Sequence, residues 1–219
     1  MSCRINFGLE TLSFGGEIIS EVLYRAYSLS DFLTRKLLLA KYKNACYSRI
    51  VVLGDIRFKQ KWLVAFERVL AIHVDFDVQK YKNLDDPQLQ EYFIKLVLSA
   101  LSLKVDEFLL PADEIKAAVD EFLQGGYVNR RLFKKRTNKV LGVRAELSFE
   151  LTLKRFFANL KLINLSSHVE RDLVVLETNP DGIIFKHQLN DFVFEGASIH
   201  VLDQFGRLTF KVDGVDAPP

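Results

Sequence analysis

A chain of 219 residues with 49% hydrophobic content, 18 Phe and seven Tyr is large enough to bury an aromatic core without disulfide or metal staples. A net charge of +2 gives no global attraction to nucleic acid or to a membrane surface. No apolar run approaches 18 residues, so no membrane-spanning helix is expected, and Cys3 and Cys46, 43 apart, have no metal-site spacing. Two isolated cysteines fit reduced thiols, and with no apolar leader at the N-terminus a cytoplasmic location is expected.

Arg4 to Phe7 has the character of a short strand. From Glu17, the residues Ile18, Ile19, Val22, Leu23 and Ala26 fall at helical spacing. Ser28 and Ser30 then punctuate, and Ser30 is a good N-cap for a second helix over Asp31–Tyr42, predicting an αα-hairpin. Arg49–Leu53 is β-branched and apolar, and Gly54-Asp55 can turn it into the next stretch as a hairpin.

Ile56–Val78 is the organising stretch. Ten of the twelve even positions from Ile56 to Val78, Trp62 among them, are apolar, while the odd positions are polar except Leu63, Ala65, Val69 and Ala71. A period of two predicts one dry and one wet face of an antiparallel sheet. An unbroken strand of that length would run roughly 70 Å at about 3.3 Å per residue. A break is therefore expected near Glu67-Arg68, with a helix over 58–70 as the competing reading.

Asp86 with Pro87 behind it resembles a helix start, and Leu89, Phe93, Leu96, Val97, Ala100 and Leu101 give that helix a wide dry face. Asp113–Gln124 is a second amphipathic helix closed by Gly125-Gly126. From Tyr127 the character becomes β. Val143 to Leu153 alternates clearly, and Leu160–Leu165 is a further strand. Asn179-Pro180-Asp181-Gly182 should turn Leu173–Thr178 into Ile183–Lys186, and Gln204-Phe205-Gly206 should turn Ser198–Leu202 into Arg207–Val212. The expected class is α+β, with N-terminal helices packed on an antiparallel sheet and a C-terminal part of β hairpins. The regions run 1–126 (mixed helix and hairpin), 127–213 (mostly antiparallel β, either continuous with the first or separate) and 214–219 (a frayed tail).

Three features could carry function. His73, Asp75 and Asp77 share one face of a strand, and an imidazole with two carboxylates is a legitimate divalent-metal ligand set. Alternation alone produces the same pattern on any wet strand face. Second, residues 75–121 hold eleven acids against five bases, a net −6. Its candidate binding residues are Asp75, Asp77, Asp85, Asp86 and Glu91, with Asp113, Glu114, Asp120 and Glu121 as a second group. They could face a basic protein partner or be ordinary helix-surface charge. Third, residues 130–161 hold ten bases against two acids, a net +8. Arg130, Arg131, Lys134, Lys135 and Arg136 could track a phosphate backbone, beside Phe133 and Tyr127 for stacking, or guard a strand edge. No nucleophile-elbow, phosphate-loop, dinucleotide or zinc-protease motif is present, so neither an enzyme activity nor a cofactor is expected.

The stretches IRFKQKWLVAFERVLAIHVDFDV, LDDPQLQEYFIKLVLSAL and GGYVNRRLFKKR together cover about a quarter of the chain. Their texture resembles immunity proteins of bacterial toxin–immunity pairs, including contact-dependent inhibition systems. That resemblance implies a cytoplasmic protein that binds a cognate toxin domain and blocks its active site, with no chemistry of its own. It defines no shared motif, so it assigns no site residues. The alternative is a nucleic-acid-binding protein or metal-dependent nuclease that uses 130–136 with His73, Asp75 and Asp77.

Overall fold

Within Val69–Asp75 the even residues Leu70, Ile72 and Val74 are buried and the odd ones are not, so one face of this strand meets a core. The computed structural model describes residues 3–11, 13–43, 46–56, 63–102, 109–181, 185 and 187–215, with backbone only for 63–66. Residues 57–62 of the organising stretch, Trp62 among them, lie outside the described residues. The chain divides into two compact units, Met1–Asn129 and Arg130–Pro219.

The first unit holds a four-stranded sheet of β1 (Arg4–Leu9), β2 (Arg49–Asp55), β3 (Leu63–Phe66) and β4 (Val69–Asp75), in the order β1-β2-β4-β3. The expectation of an antiparallel sheet fails here: β2 runs parallel to both β1 and β4, and only β3–β4 is antiparallel. Gly54-Asp55 is therefore not a hairpin turn. Both residues stay in β2, in register with Val74 and Asp75. Gly54 serves close packing: a Cβ there would come within 2.7 Å of Leu9 and 2.9 Å of Phe76. The break expected near Glu67-Arg68 is present as the β3–β4 turn, with φ of 44° and 66° at the two residues. A two-residue turn with both φ positive matches the twist of a hairpin. The competing helix does not form over 63–66, which is strand.

A parallel pair needs a long crossover, and α1 (Gly16–Leu39) supplies it between β1 and β2. The expected αα-hairpin is a single helix. Val22, Ala26, Leu29, Leu33 and Leu37 form one unbroken buried stripe through both serines, with no Gly or Pro to stop it. Ser28 and Ser30 are buried inside the helix, and Ser30 caps nothing. Thr34 of α1 closes the outer edge of β1. Its hydroxyl accepts from the Ile5 N–H at 3.0 Å and donates to the Ile5 carbonyl at 2.9 Å.

After β4 come α2 (Val78–Lys82), α3 (Asp86–Leu101) and α4 (Ala112–Gln124). The N-cap of α3 is Asp85, one residue before the expected Asp86. Asp85 Oδ1 accepts from the Gln88 N–H at 3.0 Å, and Gln88 Oε1 accepts from the Asp85 N–H at 3.2 Å. This reciprocal capping box fixes the start more strongly than Asp86 before proline could. Leu89, Phe93, Val97 and Ala100 of α3 are buried, and Phe93 meets Phe7 of β1 edge to face at 5.3 Å.

The second unit is β-rich. Its four-stranded sheet runs β5 (Asn129–Asn138), β6 (Val143–Leu151), β7 (Phe156–Asn164) and β8 (Glu170–Thr178), in that order. β6–β7 and β7–β8 are antiparallel. A second sheet has the order β11-β10-β9, with β9 (Asp191–Glu195), β10 (Ser198–Leu202) and β11 (Leu208–Val212), all pairs antiparallel. The alternating residues Val143, Ala145, Leu147, Phe149 and Leu151 of β6 and Phe156, Ala158 and Leu160 of β7 are buried, and Phe156 stacks on Phe185 at 3.8 Å. The Ser198–Val212 hairpin forms as expected, with Gly206 at φ 76° in the turn. The expected strand Ile183–Lys186 lies mostly outside the described residues. Phe185 is helical and its N–H bonds back to the Asp181 carbonyl four residues earlier, so Asn179–Gly182 does not lead into a hairpin. The tail, expected to fray from 214, is held as far as Val215, which is buried and donates its N–H to Ala197. Residues 216–219 lie outside the described residues.

Candidate functional site

The first unit's sheet has two unlike faces. Ile5, Phe7, Leu9, Ile50, Val52, Leu70, Ile72 and Val74 make the buried one. By alternation Leu53, Asp55, His73 and Asp75 lie on the other, with Leu53 beside His73 and Asp55 beside Asp75 in the parallel register. Because the strands run the same way, their carboxyl ends gather at one edge, where open parallel sheets hold ligands. Glu10 comes directly after β1, Asp55 ends β2 and His73 lies two residues before the end of β4.

Asp55 is wholly buried and is the centre of this group. Its Oδ1 accepts a 2.6 Å hydrogen bond from Ser13 Oγ, and its Oδ2 lies 3.4 Å from His73 Nδ1. Ligand atoms of Glu10, Asp55 and His73 all lie within 4.8 Å of one another. The backbone fixes the two ends: the Glu10 N–H donates to the Gly54 carbonyl at 2.9 Å, and the Phe76 N–H donates to that of Asp55 at 3.2 Å. A buried carboxylate set between a hydroxyl and an imidazole can hold a cation or polarise its histidine.

The expected trio of His73, Asp75 and Asp77 is not brought together as a ligand set. His73 and Asp75 share a strand face, but Asp77 has left the strand and caps α2, accepting from the Lys80 N–H at 2.9 Å. A carboxylate used as an N-cap is turned toward the helix it starts. His73 instead faces Asp55, on the neighbouring strand.

The acidic residues fall into two settings. Asp75, Asp77, Asp85 and Asp86 succeed one another from the end of β4, over α2, to the start of α3. Tyr92 of α3 accepts from the Asp77 N–H at 3.0 Å. Burial raises the pKa of its hydroxyl; the Asp77 bond lowers it and the Asp77 and Asp75 charges raise it again, leaving it above the ordinary phenol. Glu91 lies further along α3, 3.7 Å from Lys95. Of the second group, Asp113 and Glu114 occupy the first turn of α4, where the helix dipole favours them. Glu121 pairs with Lys36 of α1, and Asp120 lies on the exposed side of α4.

The basic run is β5, an outer strand of its sheet. Each of its five candidates has a partner within the second unit. Arg130 pairs with Glu150, Lys135 lies 3.7 Å from Glu146, and Arg131 lies over the Phe149 ring at 5.6 Å. Lys134 and Arg136 converge on Asp191 of β9, at 2.7 Å and at 2.9 and 3.0 Å. Burial would raise the Asp191 pKa, but the Lys134 bond, the Phe192 N–H and the two positive charges outweigh it and hold the carboxyl below its usual range. A groove of about 820 Å³ beside β5 is lined by both signs, among them Arg130, Arg131, Glu146, Glu150, Lys161 and Asp172.

Glu10 and Asp55 do not stand out as site residues in the sequence. The only signal is a carboxylate directly after, or at the end of, each of two apolar runs, which matters only once those runs are known to be parallel. No family model, curated protein or solved structure matches the chain.

Proposed function

We propose that the chain is a non-catalytic binding protein of the immunity type, which neutralises a cognate toxin domain by laying an acidic edge into a basic cleft. The observation that carries this reading is the succession of Asp75, Asp77, Asp85 and Asp86 from the end of β4 to the start of α3, in which Asp77 and Asp85 cap the two helices and are held by them. Complementary charge of this kind speeds encounter and rejects unsuitable partners. No disulfide joins Cys3, which is buried, to Cys46, which is exposed, and this fits a reducing cytoplasm. Among the described residues no helix is long and apolar enough to cross a membrane.

The nucleic-acid reading is the weaker one, because the cations it needs are occupied by Glu146, Glu150, Asp191 and the Phe149 ring. A phosphate backbone would have to displace those partners.

The test co-expresses the chain with the product of any toxin-like reading frame found beside its gene and measures growth rescue, then association kinetics at low and physiological salt. Replacing Asp75, Asp77, Asp85 and Asp86 together by Asn removes four charges yet keeps the helix starts, because Asn caps as well as Asp. The expected result is a fall in association rate of about tenfold or more at low salt, with a flatter salt dependence. An unchanged association rate rejects this face, and a low-salt gel shift with RNA or DNA favours the alternative.

A further inference from the structure

We propose that Glu10, Asp55 and His73 form a binding site for a divalent transition-metal cation at the carboxyl ends of the three parallel strands. Three features of the geometry carry the proposal. First, two ligands about 2.1 Å from one ion at the tetrahedral angle lie about 3.4 Å apart. His73 Nδ1 and Asp55 Oδ2 are separated by 3.4 Å, on adjacent strands in fixed parallel register. Second, Glu10 completes the set within 4.8 Å from the third strand. Its half-buried side chain can adjust to reach the same ion. Third, Ser13 donates to the other oxygen of Asp55 at 2.6 Å and so orients the carboxylate, the role that outer-shell partners play at metal centres.

The ligand set also selects the ion. One imidazole and two carboxylates suit Zn²⁺ or Mn²⁺ better than Mg²⁺ or Ca²⁺, which prefer oxygen alone. Three protein ligands leave at least one coordination position for water or for a group supplied by a partner.

The experiment uses the full chain, stripped with chelator, titrated with ZnCl₂, MnCl₂ and MgCl₂ by calorimetry and with CoCl₂ by visible absorption. The expected result is one equivalent of Zn²⁺ or Mn²⁺ and a Co²⁺ spectrum of low symmetry. His73→Gln and Glu10→Gln should each weaken binding at least tenfold, and Ser13→Ala by roughly tenfold. Circular dichroism melts check that each variant is folded. Asp55→Asn is the most direct variant but disturbs a buried centre, so the half-buried Glu10 and His73 decide if it does not fold. Absence of heat and of a Co²⁺ spectrum, unchanged affinity in both the His73 and Glu10 variants, or tighter binding of Mg²⁺ than of Zn²⁺ overturns the assignment. None of these outcomes depends on the toxin partner, so failure here leaves the proposed function standing.

Discussion

Asp191 offers a sharp test of how the basic strand is held. Its carboxylate is met by Lys134 at 2.7 Å and by Arg136 at 2.9 and 3.0 Å, and it also takes the Phe192 N–H at 2.6 Å. Asp191→Asn keeps the shape and removes the charge that joins β9 to β5. A hydrogen bond to a charged group contributes about 1.5–3 kcal/mol when protected from water. Here the Asp191, Lys134 and Arg136 side chains are 26%, 36% and 40% exposed, so solvent screening reduces the whole cluster to about 1–2 kcal/mol. For a chain of this length that corresponds to a fall in Tm of about 2–8 °C. The pH dependence has a definite sign. The folded-state pKa of Asp191 is depressed, so its stabilisation is complete above the unfolded carboxylate value of about 3.9 and is lost as pH falls through the lower folded value. Thermal melts of wild type and variant should therefore differ from pH 7 down to about pH 4 and converge only at lower pH, as it falls through the depressed folded value. Equal Tm at pH 7, or a gap that persists undiminished in acid, would refute the argument.

Gly54→Ala should destabilise by about 1–3 kcal/mol, read as a lower urea midpoint, because the added Cβ meets Leu9 at 2.7 Å and the Phe76 Cβ at 2.9 Å. Thr34→Val should cost about 1–3 kcal/mol and speed hydrogen exchange at the Ile5 amide, since the hydroxyl satisfies both backbone groups of Ile5 on an outer strand. In thiol labelling of the native chain Cys46 should react first. Cys3 should wait for unfolding, because burial, partly offset by a hydrogen bond with the Arg4 backbone, pushes its thiol up to about 11. Equal labelling rates for the two would contradict the burial of Cys3.

The parts of the fold legible in the sequence are those decided by local chemistry. The presence of a helix starting beside Pro87, though not its cap at Asp85, the Asp113–Gln124 stripe and the Gly206 turn each depend on residues within a few positions of one another. The misreading of α1 is of the same local kind but opposite outcome. Ser28 and Ser30 look like punctuation, yet the Val22–Leu37 stripe binds the helix to the core on both sides of them, and tertiary burial outweighs a weak helix preference. Local chemistry does not reveal Asp191 as the partner of Lys134 and Arg136, because 55 residues separate Arg136 from Asp191.

Strand direction is the deeper reason the strand-end cluster is hidden in the sequence. A period of two reports that one face is dry and says nothing about which way the neighbouring strand runs. Reading Gly54-Asp55 as a turn makes β2 antiparallel to the next strand and places Asp55 at a wet loop tip. In the parallel sheet the same residue lies beside Asp75 on β4, with His73 facing its carboxylate, wholly withdrawn from solvent. The glycine that suggests a turn is needed for a different reason, since Leu9 and Phe76 leave no room for a Cβ. Once Gly54 is assigned to close packing, β2 continues to Asp55 and the ends of β1, β2 and β4 fall at one edge. The proximity of Glu10, Asp55 and His73 is then a consequence of topology. Gly54→Ala should accordingly disturb cation binding as well as stability, although residue 54 supplies no ligand.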